Sequence, residues 1–430
     1  MSTTFNSVST LAEPVELAAI APATSPEIAK PDFISNYADF ADVFEMPREV
    51  HEWVAVQLIA SVLNGNVDIE WGAVTYSLDL WVLLLSGSGQ GRNTATDVAL
   101  KVLKAAEIQG RLHKATWGSK AAFYQQIAEH PHGLYVWPEL SVILSKLKDP
   151  AFGGVKEWLT DRYDNQHVPD GITYRQTGKK RDTPPIIFNE APRTNILATS
   201  SSDWFINSLE QEDTTGGFIP RWLLKQIGKT ERLIPKPIAP DPTLLPVLGD
   251  QLALIAELKG KADLSKVEQL YSDWYCATYR KFEEQPNSAL AVPFFNRLRG
   301  ELLKLAVIFE ASQSGTLQVT QQAFDRAAAA ASDAEETIFT LIPTGMSREG
   351  SEVEKMSEKI RSAGPEGITQ SELTRSFQGW KPWERAQRLQ TLLESARVHY
   401  LTEPTKGRNC TRYVHQEHYA GTETCQVQQS

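Results

Sequence analysis

The chain has 430 residues, of which 41% are hydrophobic and 22% charged, and its formal net charge is −10. That is the profile of a soluble globular protein of two or three domains, and the acidic balance excludes a surface coated throughout with basic residues for nucleic acid. The longest apolar run, Leu80 to Leu85, falls far short of the roughly 20 residues that cross a bilayer, and no charged-then-apolar leader opens the chain, so a cytoplasmic protein without membrane contact is expected. Cys276, Cys410 and Cys425 are odd in number and widely spaced, and the pairs His130/His132 and His415/His418 have no cysteine cluster nearby. Neither a disulfide framework nor a metal site is expected.

Residues 1–30, rich in Ser, Thr, Ala and Pro with no apolar period, read as a disordered tail. From Val50, the residues Trp53, Val54, Gln57, Leu58, Ser61 and Val62 fall on one helical stripe that faces a core, and Asn64-Gly65 ends the helix. The run ending at Leu85 reads as a buried strand, followed by the glycine-rich Ser86-Gly87-Ser88-Gly89-Gln90-Gly91 and a helix from about Thr94 to Gln109. Further strands are expected at Gly133 to Val136, ending in Trp137-Pro138-Glu139, and at Asn195 to Thr199. Helices between them predict a parallel α/β core over 31–240.

Between the last two strands, β-prone flanks from Ile172 to Phe188 enclose a Gly178-Lys179-Lys180-Arg181 tip and read as an exposed hairpin. Residues 241–343 are helical in pattern and predict an all-helical subdomain. After Pro343-Thr344-Gly345, three short helices (Glu352 to Arg361, Thr369 to Phe377, Pro382 to Ala396) precede a strand pair around Lys406-Gly407-Arg408, which suggests a winged helix over 350–415, with a disordered tail from 416 to 430. Thr369 to His415 holds two Lys and six Arg against four Glu, so this segment is locally basic within an acidic chain.

The chemistry legible in these motifs is that of a nucleotide loop. A P-loop needs glycines so that backbone N–H groups converge on phosphate oxygens, a Lys for the β and γ phosphates, and a hydroxyl for Mg²⁺. In one register Gly91 fills the second glycine, but Ser86 replaces the first, Arg92 the lysine and Asn93 the hydroxyl; in the other, Gly87 and Thr94 are kept while Arg92 and Asn93 fall on the glycine and the lysine. Neither register holds a lysine, and the same glycine-rich turn also serves as plain punctuation after a strand. A second nucleotide element is a strand ending in an acidic pair, the Asp for Mg²⁺ and the Glu to polarise water. Glu139 fills the second place and Pro138 the first, so metal binding suffers; the alternative is a strand end with one exposed Glu. Thr199 to Ser202 offers hydroxyls either for a γ-phosphate sensor or for an ordinary capped turn. Arg221, after Gly216-Gly217, is either an arginine finger or a surface cation.

In this order, His51-Glu52-Trp53, Leu83 to Arg92, Val136 to Leu140 and Gly216 to Arg221 resemble the primase–helicase-like P-loop proteins of phages, plasmids and other mobile elements, and Arg297 to Ala306 is similar to that family's helical lid segment. The resemblance implies a P-loop NTPase-type core with a helical lid and a C-terminal winged helix, forming an ATP-driven, DNA-associated ring. It further implies nucleotide contacts from Gly87, Gly89, Gly91, Arg92, Asn93, Thr94 and Thr199, a finger in trans from Arg221, a lid-side phosphate sensor in Arg297 and a catalytic base in Glu139. Loss of the loop lysine and of the acidic-pair Asp, each worth orders of magnitude in phosphoryl transfer, suggests a retired ATPase in which ATP and Mg²⁺ are held weakly or not at all.

The tip Lys179, Lys180 and Arg181 is either a channel-lining phosphate contact or a solvated loop. Lys381, Arg385 and Arg388 share the start of the third C-terminal helix, as in a recognition helix, and Lys406 and Arg408, with Arg412, would form a backbone-contacting wing. Three functions follow: a DNA-associated, oligomeric, helicase-like protein with little hydrolysis, an active replicative helicase, or an adaptor that binds other replication or mobile-element proteins.

Overall fold

The computed structural model describes residues 32–419 except 88–91, 109, 115–116, 173–183, 210, 229–231, 233, 343–347 and 404–409. Two helices open it, α1 (Phe33–Ala41) and α2 (Arg48–Leu63). The sequence predicts one core-facing stripe on α2, but the helix is buried nearly all round, from Val50 and Trp53 through to Val62 and Leu63. The reason is tertiary: helices that lie far away in sequence cover the face that periodicity leaves to solvent. At its end Gly65 has φ 86°, and a Cβ there would meet the His132 ring at 2.3 Å. A hairpin of β1 (Val67–Trp71) and β2 (Val74–Ser77) follows.

Next come β3 (Trp81–Leu85), α3 (Arg92–Ala105), β4 (Leu112–Lys114), α4 (Lys120–Glu129), β5 (Leu134–Trp137), α5 (Leu140–Leu147), α6 (Val155–Arg162), β6 (Asn195–Ser200), α7 (Ser202–Ser208), α8 (Gln211–Thr215) and β7 (Trp222–Gln226). The five strands β3 to β7 form one all-parallel sheet in the order β4-β5-β6-β3-β7. Every residue of β3 is buried, as a strand flanked on both sides and covered on both faces must be. Against one face lies an aromatic layer in which Trp81 and Trp137 both meet Trp222, at 5.4 and 5.5 Å, and Trp117 meets Trp137 at 5.6 Å. The flanks of the expected hairpin do meet, through paired backbone hydrogen bonds of 2.9 Å between Ile172 and Ile186; its tip, with Lys179, Lys180 and Arg181, lies outside the described residues.

Residues 244–341 are helical as expected: α9 (Leu244–Ala256), α10 (Glu268–Glu283), α11 (Ser288–Ser314) and α12 (Gln321–Leu341), with the short β8 (Gly260–Lys261) between the first two. They pack into the same core as the sheet. α9 packs on α2 and α3, α11 on α2, α12 on β7, and β8 pairs with β1, so one hydrophobic core runs through both regions. A second core, including Met356, Ile360, Leu373, Leu392 and Val398, holds α13 (Arg348–Arg361), β9 (Ile368–Thr369), α14 (Gln370–Ser376), α15 (Pro382–Glu394), β10 (Val398–Glu403) and β11 (Cys410–His415). The expected helices and strand pair are present, and β9 completes an antiparallel sheet of order β10-β11-β9. Thr369 caps α14 reciprocally with Glu372.

The helices of 244–341 are tied to the sheet by a buried charge cluster. The Lys304 ammonium donates to the Asp79 backbone oxygen at 2.8 Å and pairs with the carboxylates of Asp79 at 3.0 Å and Asp164 at 2.7 Å. Asp79 also accepts from Ser77 Oγ at 2.8 Å and from the Asp164 N–H at 2.9 Å, and the Tyr163 hydroxyl donates to Glu301 at 3.0 Å. Burial opposes ionisation of Asp79, but Lys304 and these donors outweigh it and hold the carboxyl below its ordinary range. Glu301 has weaker compensation, and burial pushes it up to about 8. Folded Glu301 therefore keeps a proton that the unfolded chain releases. Its stabilising contribution is fully present below the ordinary carboxyl range and is lost as pH rises through about 8. Urea unfolding of the wild type is expected to show stability falling between pH 6 and 9, with a shallower fall in Glu301→Gln; identical slopes would refute a buried protonated Glu301.

Candidate functional site

The strand order makes a crevice at one place. After β3 the chain leaves through α3 to the far edge strand β4, whereas β6, the neighbour of β3, leads through α7 and α8 to β7 on the opposite side of β3. Adjacent strands whose connections depart in opposite directions open a crevice at their carboxyl ends, where ligands of open α/β sheets bind. Ser86-Gly87, Ser200-Ser201 and, one strand further, Glu139 end their strands here, and the Ser86 N–H donates to the Ser200 carbonyl at 3.0 Å. Helix α3 starts at Arg92, so its N-terminus, the positive end of the helix dipole, also faces this edge. Gly89 and Gly91 lie outside the described residues, as do the side chains of Arg92, Asn93 and Thr94.

Glu139 reaches the crevice but is held in place there. Its carboxylate accepts from the Ser141 N–H at 3.3 Å and Ser141 Oγ at 2.8 Å, capping α5, and it also accepts from Ser200 Oγ. The cap and the crevice thus coincide in one side chain, and Ser200 is a contact that the sequence shows only as one of four hydroxyls. Thr199, expected to sense a phosphate, donates its hydroxyl to the Pro138 carbonyl and so ties the ends of β6 and β5 together. Among the described residues no three acidic, His or Cys side chains gather, and Pro138 offers no ligand in the place of the Asp.

Arg221 and Arg297 lie elsewhere. Arg221 precedes β7, whose Trp222 pairs with Trp81 at the start of β3, so it sits at the amino edge, opposite the glycine loop. Its Nη1 donates to the Gly217 carbonyl, at 2.5 Å. Gly217 has φ 79°, and a Cβ there would lie 2.8 Å from that nitrogen, so the glycine lets the guanidinium fold back. Burial, and after it the neighbouring charge of Arg297, lowers Arg221 to about 10. Arg297, expected as a lid-side phosphate sensor, lies at the amino edge with Arg221, because α11 packs against the turn before β7.

In the C-terminal region the expected basic face is largely committed internally. Arg385 Nη1 donates to the Phe377 carbonyl at 3.0 Å and to that of Trp380. Arg388, whose side chain is only 11% exposed, pairs with Glu352 and stacks over the Trp380 ring at 4.7 Å. These two arginines brace α15 against the turn before it and against α13, so they do not present a recognition face. Lys381 is exposed, while Lys406 and Arg408 lie outside the described residues. Exposed on the same region are Trp383 at 61% and Tyr400 at 62%, which the charge pattern did not single out.

No family model and no curated protein matches the chain. Among solved structures it is similar to a full-length MCM homolog from Methanopyrus kandleri, with 16% identity, a TM-score of 0.42 and 74% of this chain covered. The chain spans 63% of that protein's length. No described helix is long and apolar enough to cross a membrane.

Two substitutions separate support from surface chemistry. Glu139→Ala is expected to cost about 1 kcal/mol of stability through the lost cap, and Glu139→Gln, which keeps an acceptor, clearly less; equal losses in urea unfolding would argue against capping. Arg388→Met is expected to destabilise the C-terminal region by on the order of 1–2 kcal/mol through the lost ion pair with Glu352 and the lost stacking on Trp380, whereas Lys381→Ala leaves its unfolding midpoint unchanged.

Proposed function

We propose that the protein is a DNA-associated, oligomeric, helicase-like P-loop protein with a degenerate nucleotide site and weak or absent hydrolysis. The observation that carries this reading is the convergence of Ser86-Gly87, the start of α3, Ser200 and Glu139 at the sheet's topological switch point. The α3 N-terminus supplies what a triphosphate needs from backbone. The loop lysine and the metal-ligating Asp are replaced, and the Glu139 carboxylate is engaged by three donors, which disfavours its service as a base.

Arg221 supports an assembly. It stands at the opposite edge of the sheet from its own loop, so a phosphate that it serves as a finger belongs to another copy of the chain. The C-terminal region is read as a winged helix from its helix order and its β10-β11-β9 sheet. With Arg385 and Arg388 occupied, its DNA contact falls to the exposed Lys381, which favours backbone over base contact. The exposed Trp383 and Tyr400 favour a second reading, in which this region docks a protein partner.

Nucleotide binding and turnover by the purified protein, with and without DNA and alongside Glu139→Gln, test the proposal. Expected are ATP binding with turnover near background, unaffected by the variant, and DNA binding that weakens steeply with salt but persists without ATP. Robust turnover abolished by Glu139→Gln would establish an active helicase instead. Absence of both ATP and DNA binding would overturn the proposal, and a partner protein that covers the C-terminal region against competing DNA would favour the adaptor.

A further inference from the structure

The edge strand β4 holds a histidine in a place shaped for it. Among the described strands β4 pairs with β5 alone, through three residue pairs in which His113 lies opposite Tyr135. The His113 ring stacks on that of His130, the C-cap of α4, with centroids 4.1 Å apart and planes 27° from parallel. Its other aromatic neighbour is the Tyr135 ring at 5.3 Å. Gly133 makes the room, since a Cβ there would lie 2.9 Å from His113 Cδ2. Tyr135 in turn fixes His130, because its hydroxyl donates to the His130 carbonyl at 2.9 Å.

This site suits neutral rings. His113 Nε2 is buried with no hydrogen-bond partner, so a proton added there meets neither water nor an acceptor, while the other ring nitrogen is taken by the Gly110 backbone. The charged groups around it offer no compensation. Just before the strand, Arg111 donates to the Ser61 and His132 carbonyls, and at its end Lys114 pairs with Asp97 of α3 at 3.9 Å. His132, in the turn beyond His130, faces Glu190 at 3.6 Å, and the charge of Glu129 falls on Tyr135. Burial first, and then the charge of His130, lower His113 to about 4 against the pull of the Gly110 backbone. Folded His113 thus refuses a proton that a released strand accepts at the ordinary value of 6.5. What the neutral stack contributes to holding β4 is fully present above that value and is lost as pH falls toward about 4.

Little else holds β4. It is three residues long, none of them buried, and the exposed pair Lys114–Asp97 is worth little. The chain is anchored on either side, by the Arg111 hydrogen bonds and by Trp117 in the aromatic layer, so the strand can leave without disturbing the rest of the sheet. We propose that the stacked rings of His113 and His130 are a proton-operated latch that keeps β4 on the sheet at neutral pH and releases it on acidification. Release uncovers the outer edge of β5, the strand that leads into Glu139, and leaves its backbone groups open to pairing with another strand. The latch is independent of the nucleotide reading.

Hydrogen exchange of the full chain, followed by mass spectrometry at about pH 7.5 and about pH 5 and corrected for the intrinsic effect of pH on exchange, tests it. In the wild type, protection of 112–114 and of the facing 134–136 is expected to fall about tenfold or more at the lower pH, with β3 and β6 unaffected, because each pH unit between the two values of His113 weakens the latch by up to about tenfold. His113→Phe keeps a ring in the stack and takes no proton, and its protection is expected to be the same at both pH values. His113→Gln loses the stack as well, and is expected to show lower protection that is again insensitive to pH. A fall in either variant equal to that of the wild type would overturn the latch. So would unchanged protection in the wild type, and so would a fall spread evenly over β3 and β6, which reports acid unfolding of the whole sheet.

Discussion

A lone ammonium, fully buried among carboxylates, holds the helices of 244–341 against the parallel sheet. Removing Lys304 from water is costly, and the cost is offset only because Asp79, at the entrance to β3, and Asp164, just past α6, both reach it, while the Tyr163 ring lies 4.3 Å from the ammonium. The arrangement demands that three distant stretches of chain meet at one point. Once they do, α11 is fixed along the amino edge of the sheet and α12 against the end of β7. Such a cluster gains little net stability over well-packed apolar groups, but it tolerates few alternative alignments of α11, since any shift strands a buried charge.

That alignment divides the sheet into two chemically distinct edges. At the amino edge lie the buried acids, the Lys304 ammonium and the half-buried pair Arg221 and Arg297. At the carboxyl edge lie backbone N–H groups, hydroxyls and Glu139, with a carboxylate-lined cavity against α12 beside them. A parallel sheet brings all its strand ends of one sense together, so a loop, a cap and a cavity contributed by residues 87, 139 and 333 become neighbours. The two arginines that a linear reading assigns to different phosphate roles share one edge because β7 begins there and α11 runs past it.

Much of the core was legible. The all-apolar run before Ser86 can only be a strand buried on both sides, and the glycine run after it can only be a turn, so strand, loop and helix follow in order. The helices of α10 to α12 and those of the C-terminal region announce themselves by period and caps. The short strands β4, β7 and β9 did not: two to five residues carry too little pattern, and pairing rather than propensity makes them strands. Among site residues, Glu139 was visible from its place at a strand end, but its engagement by Ser141 and Ser200 was not, since Ser200 lies 61 residues away.

The sequence by itself determined the longer helices, the central strands β3, β5 and β6, their order and the chemistry missing from the loop, for these depend on local period, on turn residues and on which side chain stands at which position. Tertiary structure decided the rest. It joined the sheet and the helices of 244–341 in one core, turned Arg385 and Arg388 inward to brace α15, placed Arg297 at the edge of Arg221 and opened a cavity between β7 and α12. A charged side chain's role is set by the partner that neutralises it, and for Arg388 and Lys304 those partners, Glu352 and Asp79, lie 36 and 225 residues away in the chain. Only the folded chain brings them within reach.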